Sequence, residues 1–151
     1  MSDPQRASLA LVTGAGSGGG IGFAAARRLA RRGHHLVLVA TTDRIHDRAG
    51  ELAAEGWSAE GRVCDLRDAD AVAELVGSLD PAASLDVVVN NAGMTSLGAG
   101  TDAATLVEET SPADWDDTLS RNLTTSFLVC RAVVPRMRAQ GYGRIVNVAS
   151  T

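Results

Sequence analysis

Leu11-Val-Thr-Gly-Ala-Gly-Ser-Gly-Gly-Gly-Ile-Gly22 is the stretch that decides how this chain folds. Residues 9–13, which lead into the glycines, form a short continuous run without polar alternation, the pattern of a parallel strand covered on both faces. Residues 21–32, on the other side of the glycines, have helical spacing. Ile21, Ala24, Ala25 and Leu29 are the expected apolar face, with Arg27, Arg28, Arg31 and Arg32 largely outside. A glycine-rich turn between a strand and an amphipathic helix lets backbone approach a pyrophosphate. The helix start then presents free N–H groups and the positive end of its dipole. Glycines also serve ordinary turns, so a purely structural loop is the competing reading. A nucleoside-triphosphate P-loop is disfavoured, because that motif needs a lysine and all fourteen basic residues here are arginine.

Outward from this turn the pattern repeats. Gly33 sits at a natural helix C-cap, and His35–Ala40 is the second strand. A helix over residues 46–54 leads through Gly56 to a third strand near residues 61–64. Asp68 is placed to cap the next helix, which carries Ala71, Val72, Leu75, Val76 and Leu79 at helical spacing. Residues 85–89 are the fourth strand. Residues 90–110 are a Gly-, Thr- and Ser-rich loop whose length predicts a lid or a short helix near residues 103–107. Ser111 at N-cap, Pro112 at N1 and Asp114 at N3 start a helix expected to reach Gln140. Trp115, Leu119, Phe127 and Val134 are its expected core contacts. Gly141 and Gly143 break it before a fifth strand at residues 145–149. Strictly alternating strands and helices imply a doubly wound parallel α/β sheet of the Rossmann type, one dinucleotide-binding domain over residues 1–151.

Composition narrows the class. Five aromatic residues and a 45% hydrophobic content point to a core of Ala, Val and Leu. A net charge of -4 gives no sign of a nucleic-acid binder. Cys64 and Cys130 are too few for a disulfide framework and read as free thiols of a reducing compartment. The opening residues lack the apolar run of a signal peptide. No apolar stretch approaches the ~18 residues of a membrane span. A soluble cytoplasmic protein is expected.

Five motifs, in order, resemble those of the short-chain dehydrogenase/reductase family, and of bacterial 3-oxoacyl-(acyl-carrier-protein) reductases in particular. The signature Thr-Gly-x-x-x-Gly-x-Gly is met by Thr13, Gly14, Gly18 and Gly20, enclosing Gly16 and Ser17. The family's terminal Gly-Ile-Gly is here Gly20-Ile21-Gly22, so the loop is two residues longer. Cys64-Asp65-Leu66 resembles the acidic pair at the adenine edge. Asn90-Asn91-Ala92-Gly93 resembles the motif ending the fourth strand. Asn122-Leu123 resembles the active-site helix asparagine. Residues 144–150 resemble the strand carrying the catalytic serine, Ser150.

The resemblance implies an NAD(P)-dependent oxidoreductase. Ser150 would polarise a substrate carbonyl or alcohol, Asn122 would belong to the same tetrad, and the other motifs would bind cofactor. Each residue has a plainer reading as well. Asp65 can accept from an adenine amino group or be a solvated turn aspartate. Asn90 is open to a wholly structural role, and Asn91 can satisfy backbone groups of a tight turn. Gly93 allows close passage of a ribose or simply a positive φ. Asn122, on the side of Trp115 and Leu119, is an active-site group or a buried asparagine bonded to backbone. The family's Tyr-x-x-x-Lys segment would fall beyond Thr151, and Tyr142 precedes the fifth strand, near its opposite end. Residues 1–151 are therefore expected to be a fragment of a longer enzyme, incomplete at the C-terminal side of the fold, inactive and poorly folded alone. The alternative is a non-catalytic dinucleotide-binding module or degenerate regulator, and a methyltransferase is a distant third. The substrate class would be a small molecule or acyl-thioester. The whole enzyme would be a homotetramer or homodimer, partly through the helix over residues 111–140.

Cofactor choice rests on Val39-Ala40-Thr41-Thr42-Asp43-Arg44. NAD enzymes usually end the second strand in an acid that grips the ribose. Ala40 holds that position here and leaves room for a 2′-phosphate, to which Thr41 and Thr42 can donate and Arg44 can offer a charged fork. Asp43 is the counter-evidence, through a loop shift that would present it to the ribose. NADP is expected, with NAD the alternative.

Overall fold

A computed structural model describes residues 7–93 and 106–149. Its strands are β1 (Ser8–Thr13), β2 (His35–Ala40), β3 (Ala59–Val63), β4 (Ser84–Asn90) and β5 (Arg144–Asn147). They form one sheet in the order β3-β2-β1-β4-β5, every pair parallel. The chain starts in the middle, builds outward through β2 and β3, then crosses to β4 and β5. Strand order thus reverses between β1 and β4, where such sheets open a ligand crevice at their C-terminal ends. The helices are α1 (Ile21–Ala30), α2 (Arg44–Ala54), α3 (Ala69–Gly77), α4 (Pro112–Leu119) and α5 (Thr125–Gln140).

The continuous apolar strands are covered on both sides, as their sequences require. Leu9, Leu11, Val37, Val39, Leu85 and Val88 face α3 and α5, forming a core with Val72, Leu75, Val129 and Val133. Ala10, Val12, Leu36 and Leu38 face the other way, against Phe23, Ala26, Ile45 and Leu52 of α1 and α2. This arrangement is the doubly wound Rossmann-type sheet expected from the alternation of elements. Among the described residues, no helix is long and apolar enough to cross a membrane.

Local signals hold closely. Asp68 caps α3 by accepting from the Asp70 and Ala71 N–H groups, and Ser111 caps α4 by accepting from Asp114 N at 3.1 Å. Two expected faces are corrected. In α1 the buried residues are Gly22, Phe23, Ala26 and Ala30, while Ile21 is 68% exposed and Ala24 is exposed. The helix turns Phe23 together with the small residues Gly22, Ala26 and Ala30 toward the sheet, and its first turn packs on the end of β1. Beyond α4 the run to Gln140 is not one regular helix. A π-type segment, Ser120–Thr124, joins α4 to α5. Its wider turn rotates α5 relative to α4, so Thr125, Leu128, Val129, Val133 and Met137 are buried while Phe127 is exposed, as is Trp115 in α4. A 3₁₀ turn occupies Val107–Glu109. The lid or helix expected near residues 103–107 lies almost wholly outside the described residues.

Candidate functional site

The floor of the crevice is a stitch between β1 and β4. Thr13 is buried, and its Oγ1 accepts from the N–H groups of Asn91 and Ala92, each at 3.0 Å, while donating to Val89 O at 3.3 Å. Asn91 answers through Nδ2, which donates to the carbonyl oxygens of Gly14 (3.1 Å) and Thr13 (3.3 Å). Two residues expected at the cofactor site thus act beneath it. Asn90 is buried as well. Its Nδ2 donates to Asn147 Oδ1 at 2.8 Å across to β5, which supports the structural reading of Asn90.

Glycine is required where these strands end. Gly14 has φ +66°, and a Cβ there would lie 2.8 Å from Ala92 Cα. A Cβ on Gly22 would meet Gly14 O at 2.8 Å, so α1 starts directly against the end of β1. The start of α1 has Gly20 at N-cap and no side-chain cap. Its first N–H groups are therefore open to an anion. The Ala15 N–H ties the loop to β2 by donating to Val39 O at 3.2 Å, and the tip closes with Gly20 N donating to Ser17 O at 3.0 Å.

Above this floor lies a cleft of about 600 Å³. It brings together Gly14, Gly16, Ser17, Thr41, Thr42, Arg44, Asp65, Leu66, Ala92 and Gly93, all named from sequence. It does not include Gly18, Gly20, Ile21 or Gly22. Gly18 is at the loop tip, Gly20 and Ile21 open the helix, and Gly22 is packed behind. Ala40 lines the cleft at the end of β2, and no acid of β2 does. Asp43 instead begins α2, where its carbonyl accepts from His46 N at 2.9 Å. Arg44 forms no ion pair among the described residues and makes one long contact, Nε to Thr42 Oγ1 at 3.5 Å.

Sequence reasoning missed Arg67, Arg121 and Thr125, which also line the cleft. Asp65 is not a freely solvated carboxylate. Its Oδ1 accepts from Arg67 N and Nε, both at 3.0 Å, and Oδ2 from Nη2 at 2.7 Å. These bonds pull its carboxyl down to about 2. Arg67 also lies 3.9 Å from Asp117, which pairs with Arg121 Nε at 2.6 Å. A carboxylate can still accept from a base edge, since it has about four acceptor sites. The signal for Arg67 was its place two residues after Asp65; the signal for Arg121 was Asp117 one helical turn before it. Burial, then Asp65, pushes the Cys64 thiol up, which disfavours its thiolate.

Asn122 departs from its expected setting. It is exposed, not core-facing, and sits within the π-type segment, where Nδ2 donates to Thr118 O at 3.0 Å. Its Oδ1 lies against Gly93, where a Cβ would come within 2.9 Å. Asn122 therefore stands at the cleft rim. Ser150 lies outside the described residues. Tyr142 precedes β5 and so lies at the N-terminal edge of the sheet, away from the cleft.

The chain belongs to the short-chain dehydrogenase family, whose model matches residues 8–151. It is 42% identical over 147 residues to a monensin polyketide synthase putative ketoacyl reductase of Streptomyces virginiae, covering 95% of this chain and 53% of that protein. It is 38% identical over 156 residues to gluconate 5-dehydrogenase of Gluconobacter oxydans, covering 99% and 57%. Among solved structures, a metagenomic short-chain oxidoreductase in complex with NADP superposes with a TM-score of 0.84 at 36% identity, covering 97% of this chain and 63% of that one. A variant of an actinorhodin polyketide ketoreductase with NADPH gives 0.82 at 34% identity, covering 99% and 55%. The chain spans about half the length of the curated relatives it matches.

Proposed function

We propose that the protein containing this chain is an NADP-dependent oxidoreductase acting on a carbonyl or alcohol, with a 3-oxoacyl-thioester as its substrate class. One observation supports the cofactor most. The crevice joins an uncapped helix start to a β2 end that offers Ala40, Thr41, Thr42 and an Arg44 without an ion pair among the described residues, with no acid in the ribose position. That donor set suits a pyrophosphate and a 2′-phosphate. The two solved relatives above hold NADP and NADPH. The substrate class draws on the ketoacyl reductases among the relatives.

A bound nicotinamide would supply or accept the hydride. Gly14 and Ala92 would let the dinucleotide lie close to the backbone, and Asp65 and Leu66 would border its adenine. Ser150 would hold the substrate oxygen, with Asn122 at the rim beside Gly93. Proton delivery is assigned to groups outside residues 1–151, because this stretch has no lysine and its one tyrosine lies at the far edge. An unassisted phenol titrates near ~10 and is a poor acid at neutrality. Residues 1–151 alone are thus proposed to be inactive. Exposed Trp115, Leu123 and Phe127 on the α4–α5 side fit a subunit contact in a homodimer or homotetramer. The free thiols fit a cytoplasmic setting.

The test is to titrate the full-length protein with NADPH and NADH, then assay 3-oxoacyl-thioesters and simple ketones. Tighter NADPH binding and faster thioester reduction are expected. Tighter NADH binding would overturn the cofactor choice. Binding without turnover on any carbonyl would favour a non-catalytic dinucleotide module.

A further inference from the structure

Gly18 and Gly19 form the exposed tip of the glycine loop, the part lengthened by two residues. Gly19 faces open space. Gly18 does not. Arg48, one turn into α2, extends its guanidinium beneath it, and a Cβ on Gly18 would collide with Arg48 Nη1. The arginine is held from behind. Its guanidinium carbon lies 5.8 Å from the centroid of the buried Phe23 ring, and Nη2 pairs with Glu51 Oε1 at 2.7 Å. Only 22% of its side chain is exposed, and its Nε is buried without a hydrogen-bond partner among the described residues.

Buried guanidinium nitrogens normally find acceptors. Arg48 gives one nitrogen to a carboxylate, turns a second toward the loop and leaves the third bare. Arg62 also has a bare Nε, but its Nη2 serves both oxygens of Glu60 and it stands on β3; neither arginine is among the residues that line the cleft itself. Arg48 is different in position. It lies four residues after Arg44, on the same side of α2, and it touches the loop next to Ser17. Ser17, Thr41, Thr42 and Arg44 all line the cleft.

We propose that Arg48 is a second cation for the phosphate on the adenosine 2′-oxygen, acting from beneath Gly18 while Arg44 acts from the β2 end. The inference rests on the NADP reading above. Glycine at position 18 is the opening that lets a guanidinium from α2 reach this region. Glu51 and Phe23 keep the side chain extended before any ligand arrives, which lowers the entropy lost on binding. A phosphate dianion gains a charge-assisted bond from such a group, whereas a ribose hydroxyl gains little.

The experiment uses the full-length protein and two probes that differ only in the 2′-phosphate, adenosine 2′,5′-bisphosphate and 5′-AMP, titrated by calorimetry. Arg48→Gln should weaken the bisphosphate about tenfold, the loss expected for one charge-assisted bond, and leave AMP unchanged. Arg48→Lys should restore part of the loss. Arg48→Met, which keeps the stem over Phe23 but removes the charge, should show the same selective weakening and decides the matter if Arg48→Gln does not fold. Equal weakening of both probes would overturn the inference, since Arg48 would then only prop the loop, and so would no change in either. A wild-type protein that binds AMP as tightly as the bisphosphate would instead overturn the NADP reading itself, and the inference with it.

Discussion

The two ends of the sheet treat polar groups in opposite ways. At the N-terminal edge they answer one another. Ser8 Oγ donates to Asp86 Oδ2 at 2.5 Å and meets His34 Nδ1 at 2.6 Å, while Ser84 Oγ donates to Asp86 Oδ1 at 2.5 Å. Asp86 is the extra residue of a bulge, since Leu9 pairs with Leu85 and Ala10 with Val87. Gln140 bonds both backbone groups of Leu85, and Arg136 donates to the carbonyls of Leu79, Asp80 and Ala83. At the C-terminal edge Asp65 and Arg67 answer each other on one wall, and the floor is closed by Thr13 and Asn91. Above it, the hydroxyls of Ser17 and Thr41 form no hydrogen bond among the described residues, and α1 starts without a side-chain cap. A fold needs closed networks. An open ring of donors around a cleft serves something that is not part of the fold.

The contrast can be broken by mutation. Gly14→Ala should have the largest effect. It places a side chain in the left-handed region, worth roughly 1–3 kcal/mol, and drives a Cβ into the Ala92 backbone. Denaturant unfolding of the full-length protein should show the loss, together with abolished dinucleotide binding. Thr13→Val should come next, at about 1–3 kcal/mol, because it strands the buried N–H groups of Asn91 and Ala92. Ser8→Ala at the other edge should cost about 1 kcal/mol or less, since Asp86 keeps Ser84. A larger loss from Ser8→Ala than from Thr13→Val would contradict the contrast.

Much of this was legible because it is local chemistry. The caps at Asp68 and Ser111, the β2 boundaries and the glycines between strand and helix each depend on a few neighbouring residues. What could not be read depends on distant partners. Thr13 and Asn91 have motif positions, but their mutual stitch joins different strands. Arg48 meets Gly18 only after α2 folds back beside α1. The π-type segment defeated a periodicity of 3.6, which sent Phe127 and Asn122 to the wrong side. Asp86 hid inside an apolar run because a bulge frees it from the ladder.

Smaller effects sharpen the comparison. Arg67→Gln should raise the Asp65 carboxyl from about 2 toward its usual 3.8, a shift measurable by NMR titration. The folded-state value is depressed. The pair's contribution is therefore fully present above the unfolded value and is lost as pH falls through about 2. Both partners are exposed, so the stability change should be slight. Tyr142→Phe should do least of all, leaving nucleotide binding and turnover at wild-type levels, because the ring lies at the far edge against Arg144.

The most direct measurement tracks backbone amide shifts by NMR as NADPH is added to the full-length protein. Large changes are expected at Gly14, at the first N–H groups of α1, at Thr41 and Thr42, and at Ala92 and Gly93. Ser8, His34, Ser84 and Asp86 should stay still. Shifts centred on that lower cluster, or none at the start of α1, would contradict the division between a closed edge that holds the fold and an open edge that holds the dinucleotide.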